Sequence, residues 1–238
     1  MELLYLIFYA VRGQAGNLSD LTMASFRYDI LLCSEILVSN LCYVSELLVP
    51  GFGRSVLLCR GRMPLARGMV ADVRDGYEAF RQFERGCCEM LVLRVCGARQ
   101  NWYVFSLYRN PDLGDWIFYC LLTSVAAVQA EDLRASFLFV GDLNGHHLEW
   151  LGSTTTNRHG VVAFDFATVS GCDQLVVCPT HAHDGTLDLL MTDVTDLVLV
   201  AVVAPIGNSA HSSLSAVISI AQAVPNLFPG WNAGSVLT

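Results

Sequence analysis

The stretch FLFVGDLNGHH, Phe137 to His147, decides how the rest of the chain is read. Four apolar residues run without alternation into a glycine, and an aspartate, an asparagine and two histidines follow within six positions. A short unbroken apolar run of this kind reads as a strand covered on both faces. Polar groups released at its end are then held on a rigid mount.

Working outward, the same pattern recurs along the 238 residues. Strands are expected at Leu3–Ala10, Asp29–Cys33, Val56–Cys59, Gly68–Val73, Cys88–Cys96, Trp102–Tyr108, Ser136–Gly141, Gln174–Val177, Thr186–Met191 and Leu197–Val203. Helices are expected after Asn17 as an N-cap, along DWIFYCLLTSVAAVQAEDL, and along RHGVVAFDFATVSG with Gly171 just past its end. Many strands with a few interspersed helices predict one α/β domain, a sandwich of two mostly antiparallel mixed sheets with helices outside. The domain is expected to span residues 1–222, with a C-terminal tail over 223–238.

Hydrophobic residues make up 53% of the chain, yet no apolar run reaches the roughly 18 residues of a membrane span. Glu2 stands where a signal peptide would carry basic charge, so an intracellular protein without membrane contact is expected. The nine cysteines form no CxxC pair and sit mostly in apolar runs, which reads as small hydrophobes in a reducing compartment. Net charge is −8, a weak footprint for a nucleic-acid binder, although Arg54, Arg60, Arg62, Arg67 and Arg74 crowd together. Asp72 interrupts an otherwise apolar strand, costly if it is buried without a partner.

Polar residues at strand ends converge on one rim of such a sandwich. Here they are Glu35, Tyr108, Asn110, Asp142, Asn144, Asp188 and His211. Singly each has a plain reading as a loop or turn residue. Together, carboxylate, amide and imidazole suit a hard divalent cation and a phosphate. Asp142 and Asn144, two apart on an extended segment, would point the same way, one to orient a water and the other to donate to a phosphate oxygen.

In this order, Ser34-Glu35, SLYRNP (Ser106–Pro111), GDLNGHH (Gly141–His147), TLDLLMT (Thr186–Thr192) and NSAHSSL (Asn208–Leu214) resemble the endonuclease/exonuclease/phosphatase superfamily. The chain is most similar there to the apurinic-type endonuclease domain of non-LTR, LINE-type retrotransposons. The resemblance runs from about Leu3 to Ser219. It implies a four-layer α/β/β/α sandwich and a DNA-nicking phosphodiesterase that uses Mg²⁺ or Mn²⁺. By motif, Glu35 matches the metal-binding glutamate and Tyr108 the tyrosine at the scissile phosphate. Asp142 matches the residue that positions the nucleophilic water, and Asn144 the phosphate-contacting amide. Asp188 matches the acid that orients the terminal histidine, His211. The resemblance also implies nuclear work for a parent element, and a reverse transcriptase partner that this chain does not include.

Two positions depart from the family pattern. Ala10 stands at the place of an asparagine in the first strand, and Ala210 at that of the aspartate in the closing Ser-Asp-His. An alanine gives neither an oxygen ligand nor a hydrogen bond, so a catalytically inactive remnant that binds nucleic acid or a protein is the alternative. THAHDG resembles the histidine run of zinc hydrolases, but glycine stands where the last histidine belongs. A phosphatase or phospholipid hydrolase on the same fold is disfavoured by the retroelement-like SLYRNP and TLDLL blocks.

Overall fold

The computed structural model describes residues 2–13, 27–39, 52–60, 65–74, 79–81, 89–97, 99–112, 114–182, 185–205 and 209–220. The expected helix after Asn17, Arg62, the Cys87-Cys88 pair, His183 and the tail over 223–238 lie outside them.

Two six-stranded mixed sheets pack face to face. The first runs β11-β12-β1-β2-β4-β3, built from β1 (Glu2–Gly13), β2 (Ile30–Ser39), β3 (Phe52–Arg60), β4 (Leu65–Arg74), β11 (Val198–Val203) and β12 (Ser213–Ile220). The second runs β5-β6-β7-β8-β10-β9, from β5 (Ala79–Arg81), β6 (Glu89–Cys96), β7 (Asn101–Tyr108), β8 (Ala135–Asp142), β9 (Asp173–Gln174) and β10 (Asp188–Thr192). Most neighbours are antiparallel, while β1–β2 and β7–β8 are parallel.

The opening stretch shows why its run is unbroken. Leu138 and Val140 on β8 enter the core between the sheets, with Phe8, Leu32, Trp102 and Ile218. Phe137 and Phe139 point the other way, into a second core under the helices. Both faces of β8 are dry, so no polar residue can alternate. Helices α1 (Trp116–Glu131) and α3 (Arg158–Val169) supply that cover with Phe118, Leu121, Val125, Ala163 and Phe166. Phe139 meets Phe166 edge-on at 5.1 Å. Asn157 caps α3 by accepting from the Gly160 amide, and Gly171 follows its end in the left-handed region.

The structure differs from the sequence reading in several places. Strand β12, unrecognised from sequence, alternates Leu214, Ala216, Ile218 and Ile220 inward with half-exposed residues between. The three-residue β5 and the single-turn α2 (Leu148–Leu151) were also unrecognised. Gln174–Val177 shrinks to Asp173–Gln174, because Val177 turns out to solvent. Asp72 is buried on the face of β4 opposite the core residues Met69, Ala71 and Val73, and it is not an isolated charge. Arg74 on the same strand pairs with Asp29 at 3.1 Å and stacks on Phe52.

Cys33, Cys96, Cys120, Cys172 and Cys178 form no disulfide among the described residues. Among the described residues no helix is long and apolar enough to cross a membrane.

Candidate functional site

The site is assembled where strand order, strand irregularity and one arginine bring five segments together. On β2 regular alternation would turn Glu35 away from the inter-sheet core that Leu32 faces. The register of β2 against both neighbours slips here, and Glu35 takes φ 58°. A left-handed φ on a glutamate is uncommon, and such strain gathers at functional sites. The bulge re-aims the carboxylate across the gap between the sheets. There Glu35 Oε1 accepts a 2.7 Å hydrogen bond from the Tyr108 hydroxyl at the end of β7.

On the second sheet Asp142 ends β8 opposite Asp188 on β10, and both are fully buried. Burial, then the facing Asp188 carboxylate, holds Asp142 well above the usual carboxylate range. Asp142 Oδ1 accepts from the Asn144 amide at 2.9 Å, whereas Oδ2 is buried with no partner among the described residues. Asp188 Oδ2 lies 2.9 Å from His211 Nδ1, so the imidazole Nδ1–H donates to it. The Asp188 backbone is fixed in turn: Thr180 Oγ1 accepts from the amides of Leu187 and Asp188, both at 3.0 Å.

Glu35, Asp142 and His211 each offer a ligand atom, and these atoms lie within 4.8 Å of one another. The donor set is two carboxylates and one imidazole, all buried, with one carboxylate oxygen unsatisfied. An unscreened buried cluster of this sign fits a divalent cation.

Asn144 differs from the expectation of an extended pair with Asp142. The strand stops at Asp142, Asn144 turns at φ 47°, and its Nδ2 donates to the Arg109 carbonyl at 2.9 Å. Asparagine tolerates this conformation better than most residues. Among the described residues no hydrogen bond brings Asn110 to the cluster. Its side chain accepts from the Asp112 amide at 2.9 Å, closing the turn that leads to α1.

Sequence reasoning passed over Arg109 and His181. Arg109 is buried, and its guanidinium donates to the carbonyls of Leu143 at 2.6 Å, Asn144 at 3.0 Å and Asn110 at 3.2 Å. It thereby staples the Asp142–Asn144 turn to the end of β7. The signal was its place inside SLYRNP, between two residues that were chosen. His181 stands beside His211, with ring centroids 4.7 Å apart. THAHDG drew notice only as a zinc motif; His181 joins no metal-capable cluster among the described residues, and His183 lies outside them.

Two other described histidines, His147 and His159, serve structure. His147 Nδ1 accepts from the Trp150 amide and caps α2, while its ring stacks on Phe164. His159 lies in the first turn of α3 and pairs with Asp115.

Both departures from the pattern adjoin His211. Ala10 is buried on β1 opposite Ser34, and its carbonyl accepts from Ser209 Oγ at 2.7 Å. The same Ser209 oxygen accepts from the His211 amide at 3.1 Å. Ala210, between them in sequence, is exposed. The backbone scaffold of the closing motif is therefore intact around two absent polar side chains.

The sequence matches no family model and no curated protein. Solved structures do resemble it. The endonuclease domain of TRAS1, a telomere-specific non-LTR retrotransposon, superposes with a TM-score of 0.70 over 92% of this chain and 99% of that one, at 17% identity. The chain has the endonuclease/exonuclease/phosphatase fold. AP endonuclease LMAP from Leishmania major matches this fold at TM-score 0.68 and 10% identity, covering 91% of this chain and 87% of that one. Truncated Caenorhabditis elegans TDP2 matches at 0.58 and 11%, covering 91% and 97%. Fold at such identities does not carry activity by itself; the side chains at the rim must carry it.

Proposed function

We propose that this protein is a divalent-metal-dependent phosphodiesterase, a DNA-nicking endonuclease of the retrotransposon type. The observation that carries the reading is the buried cluster of Glu35, Asp142 and His211, backed by Asp188 and bridged between sheets by Tyr108. Glu35 would hold Mg²⁺ or Mn²⁺, with Asp142 and His211 in reach of it. A bound ion there supplies Lewis-acid polarisation of a phosphoryl oxygen.

The chain's own groups account for the remaining chemistry. Asp142 accepts a hydrogen bond from the attacking water and aims it at phosphorus, in line with the departing sugar oxygen. The P–O bond to that oxygen breaks as the new one forms; the water's proton passes to Asp142 and the departing sugar oxygen takes a proton from solvent, leaving a phosphate monoester and a hydroxyl. His211, its Nδ1–H committed to Asp188, presents Nε2 to the phosphate, where it donates as the N–H of the imidazolium form. The imidazole, the second N–H of Asn144 and the Tyr108 hydroxyl, once its O–H leaves Glu35, stabilise charge on the non-bridging oxygens. Such fixed donors act more strongly in a buried site than in water.

The likeness to nucleases and the sequence blocks support DNA as the substrate, with a nuclear site of action for the parent element. A reverse transcriptase of the parent element is the partner this reading expects.

A second reading is favoured by Ala10 and Ala210, which leave the scaffold in place and remove two polar groups from beside His211. Losing one such donor costs about 10²–10³ in rate, and losses within one unit do not add simply. The protein would then be a folded remnant that binds nucleic acid or a protein without cutting.

Nicking of supercoiled plasmid in Mg²⁺ separates the two. The panel is the protein, Asp142→Ala, and a repaired Ala10→Asn/Ala210→Asp form, each with EDTA. Nicking lost in Asp142→Ala and in EDTA establishes the endonuclease. Cutting by the repaired form alone identifies the remnant, and silence from every folded form rejects the nuclease reading.

A further inference from the structure

The mechanism above leaves one imidazole at this rim without a task. His181 is half-buried and precedes the turn that returns to Asp188. It forms an isolated antiparallel bridge with His211 on one side and with Gly185 on the other. Flanking backbone bonds make the bridge a short ladder: Ser212 N donates to Thr180 O at 2.7 Å, and Ala182 N to Ala210 O at 3.2 Å. Residues directly opposite in an antiparallel pair send their side chains to the same face. The backbone therefore forces the two imidazoles together, and they meet at 65° with centroids 4.7 Å apart.

We propose that His181 is a positioning residue for His211, its ring forming the wall that sets the plane of the His211 imidazole. The inference rests on the reading of His211 as a site residue. Asp188 fixes one point of that imidazole, Nδ1, and a hydrogen bond at one atom does not by itself stop rocking about the Cβ–Cγ bond. A second ring packed at a steep angle removes it. With both supports Nε2 has one direction, which a donor to a phosphate oxygen requires. The role needs the shape of an aromatic ring and not its nitrogen atoms.

The test uses ¹⁵N-histidine-labelled protein, where the Nδ1–H of His211 reports the contact whether or not the protein cuts DNA. Asp188→Asn identifies that resonance. His181→Ala is expected to broaden it or speed its exchange with water, and His181→Phe to preserve it. Unchanged core amides show that each variant is folded. Nicking is then compared in the repaired Ala10→Asn/Ala210→Asp background. His181→Ala should lower kcat about 10- to 100-fold with KM within about twofold, since a displacement of roughly 1 Å costs up to about 10². His181→Phe should restore most of it. An undisturbed His211 resonance in His181→Ala overturns the proposal, as does a Phe variant that keeps the resonance and cuts no better than Ala. If no form cuts while the resonance behaves as expected, the positioning contact stands and the endonuclease reading falls.

Discussion

Asp142 and Asp188 stand directly opposite each other on antiparallel β8 and β10, both with no exposed surface. Like charges so placed destabilise a sheet, and burial deepens the cost. Because burial and Asp188 raise the Asp142 pKa, the native state binds more protons than the unfolded chain. Stability of the metal-free protein should then fall as pH rises from about 4 through the raised value. Asp142→Asn removes the penalty. In EDTA at pH 8 it should be more stable than the parent by on the order of 1 kcal/mol, shrinking toward zero near pH 4. Urea denaturation at both pH values measures this. A variant less stable at pH 8 would show that the pair is not held at electrostatic cost.

The same cost predicts a response to cation. Mg²⁺ at about a hundred times its dissociation constant adds about 2.7 kcal/mol, or roughly 5–10 °C in Tm for a chain of this size. Glu35→Gln keeps the side-chain shape and an acceptor for Tyr108 but loses the charge. It should keep the EDTA Tm within a few degrees and lose most of the Mg²⁺ shift. A full shift in Glu35→Gln would remove Glu35 from the metal site.

Arg109 gives the Asp142–Asn144 turn its place, so Arg109→Met should reach beyond its own position. The carbonyls of Leu143 and Asn144 lose buried donors, each loss costing about 1–3 kcal/mol. Destabilisation of about 2–4 kcal/mol is expected by chemical denaturation, with loss of any nicking. Lysine should rescue only in part, because one ammonium cannot reproduce a fork that reaches three carbonyls. Full stability in Arg109→Lys would show that charge alone suffices.

Thiol chemistry checks the helical side of the second sheet. Cys172 is buried behind α3, and burial, then Asp193 and Asp173, pushes its thiol up to about 12. Cys178 is exposed and free six residues on. With iodoacetamide at pH 8, Cys178 should be modified well before Cys172 when peptides are read by mass spectrometry. Equal rates would mean that this segment is open in solution.

Much of the sheet was legible because β7 and β8 bury both faces and leave a continuous apolar record. Strand β12 was not, because Ser213, Ser215 and Ser219 interrupt its apolar record and it begins only two residues after His211. The site residues were legible as types at strand ends. Their geometry was not. Nothing local to Ser34-Glu35 announces a bulge with a left-handed glutamate, which depends on register against two other strands. The His181–His211 contact is likewise a product of a bridge between segments 30 residues apart in sequence.

Gly141, the glycine that opens GDLNG, carries the most local of these dependences. A Cβ built there would lie 1.9 Å from the Leu107 carbonyl oxygen and 2.7 Å from its carbon, both backbone atoms of the neighbouring strand. No rotamer relieves a clash between Cβ and backbone, so β7 and β8 would have to part where Tyr108 and Asp142 leave them. Gly141→Ala should therefore cost about 3 kcal/mol or more, in the range reserved for core overpacking and backbone strain. It should also abolish nicking in any form that cuts, since Tyr108 and Asp142 sit on the two displaced strands. Gly152→Ala is the control: it takes φ 60° but has open space at its Cβ, so it should cost only about 1 kcal/mol. Equal tolerance of the two alanines would show that strand contact at Gly141 is not what the opening glycine secures.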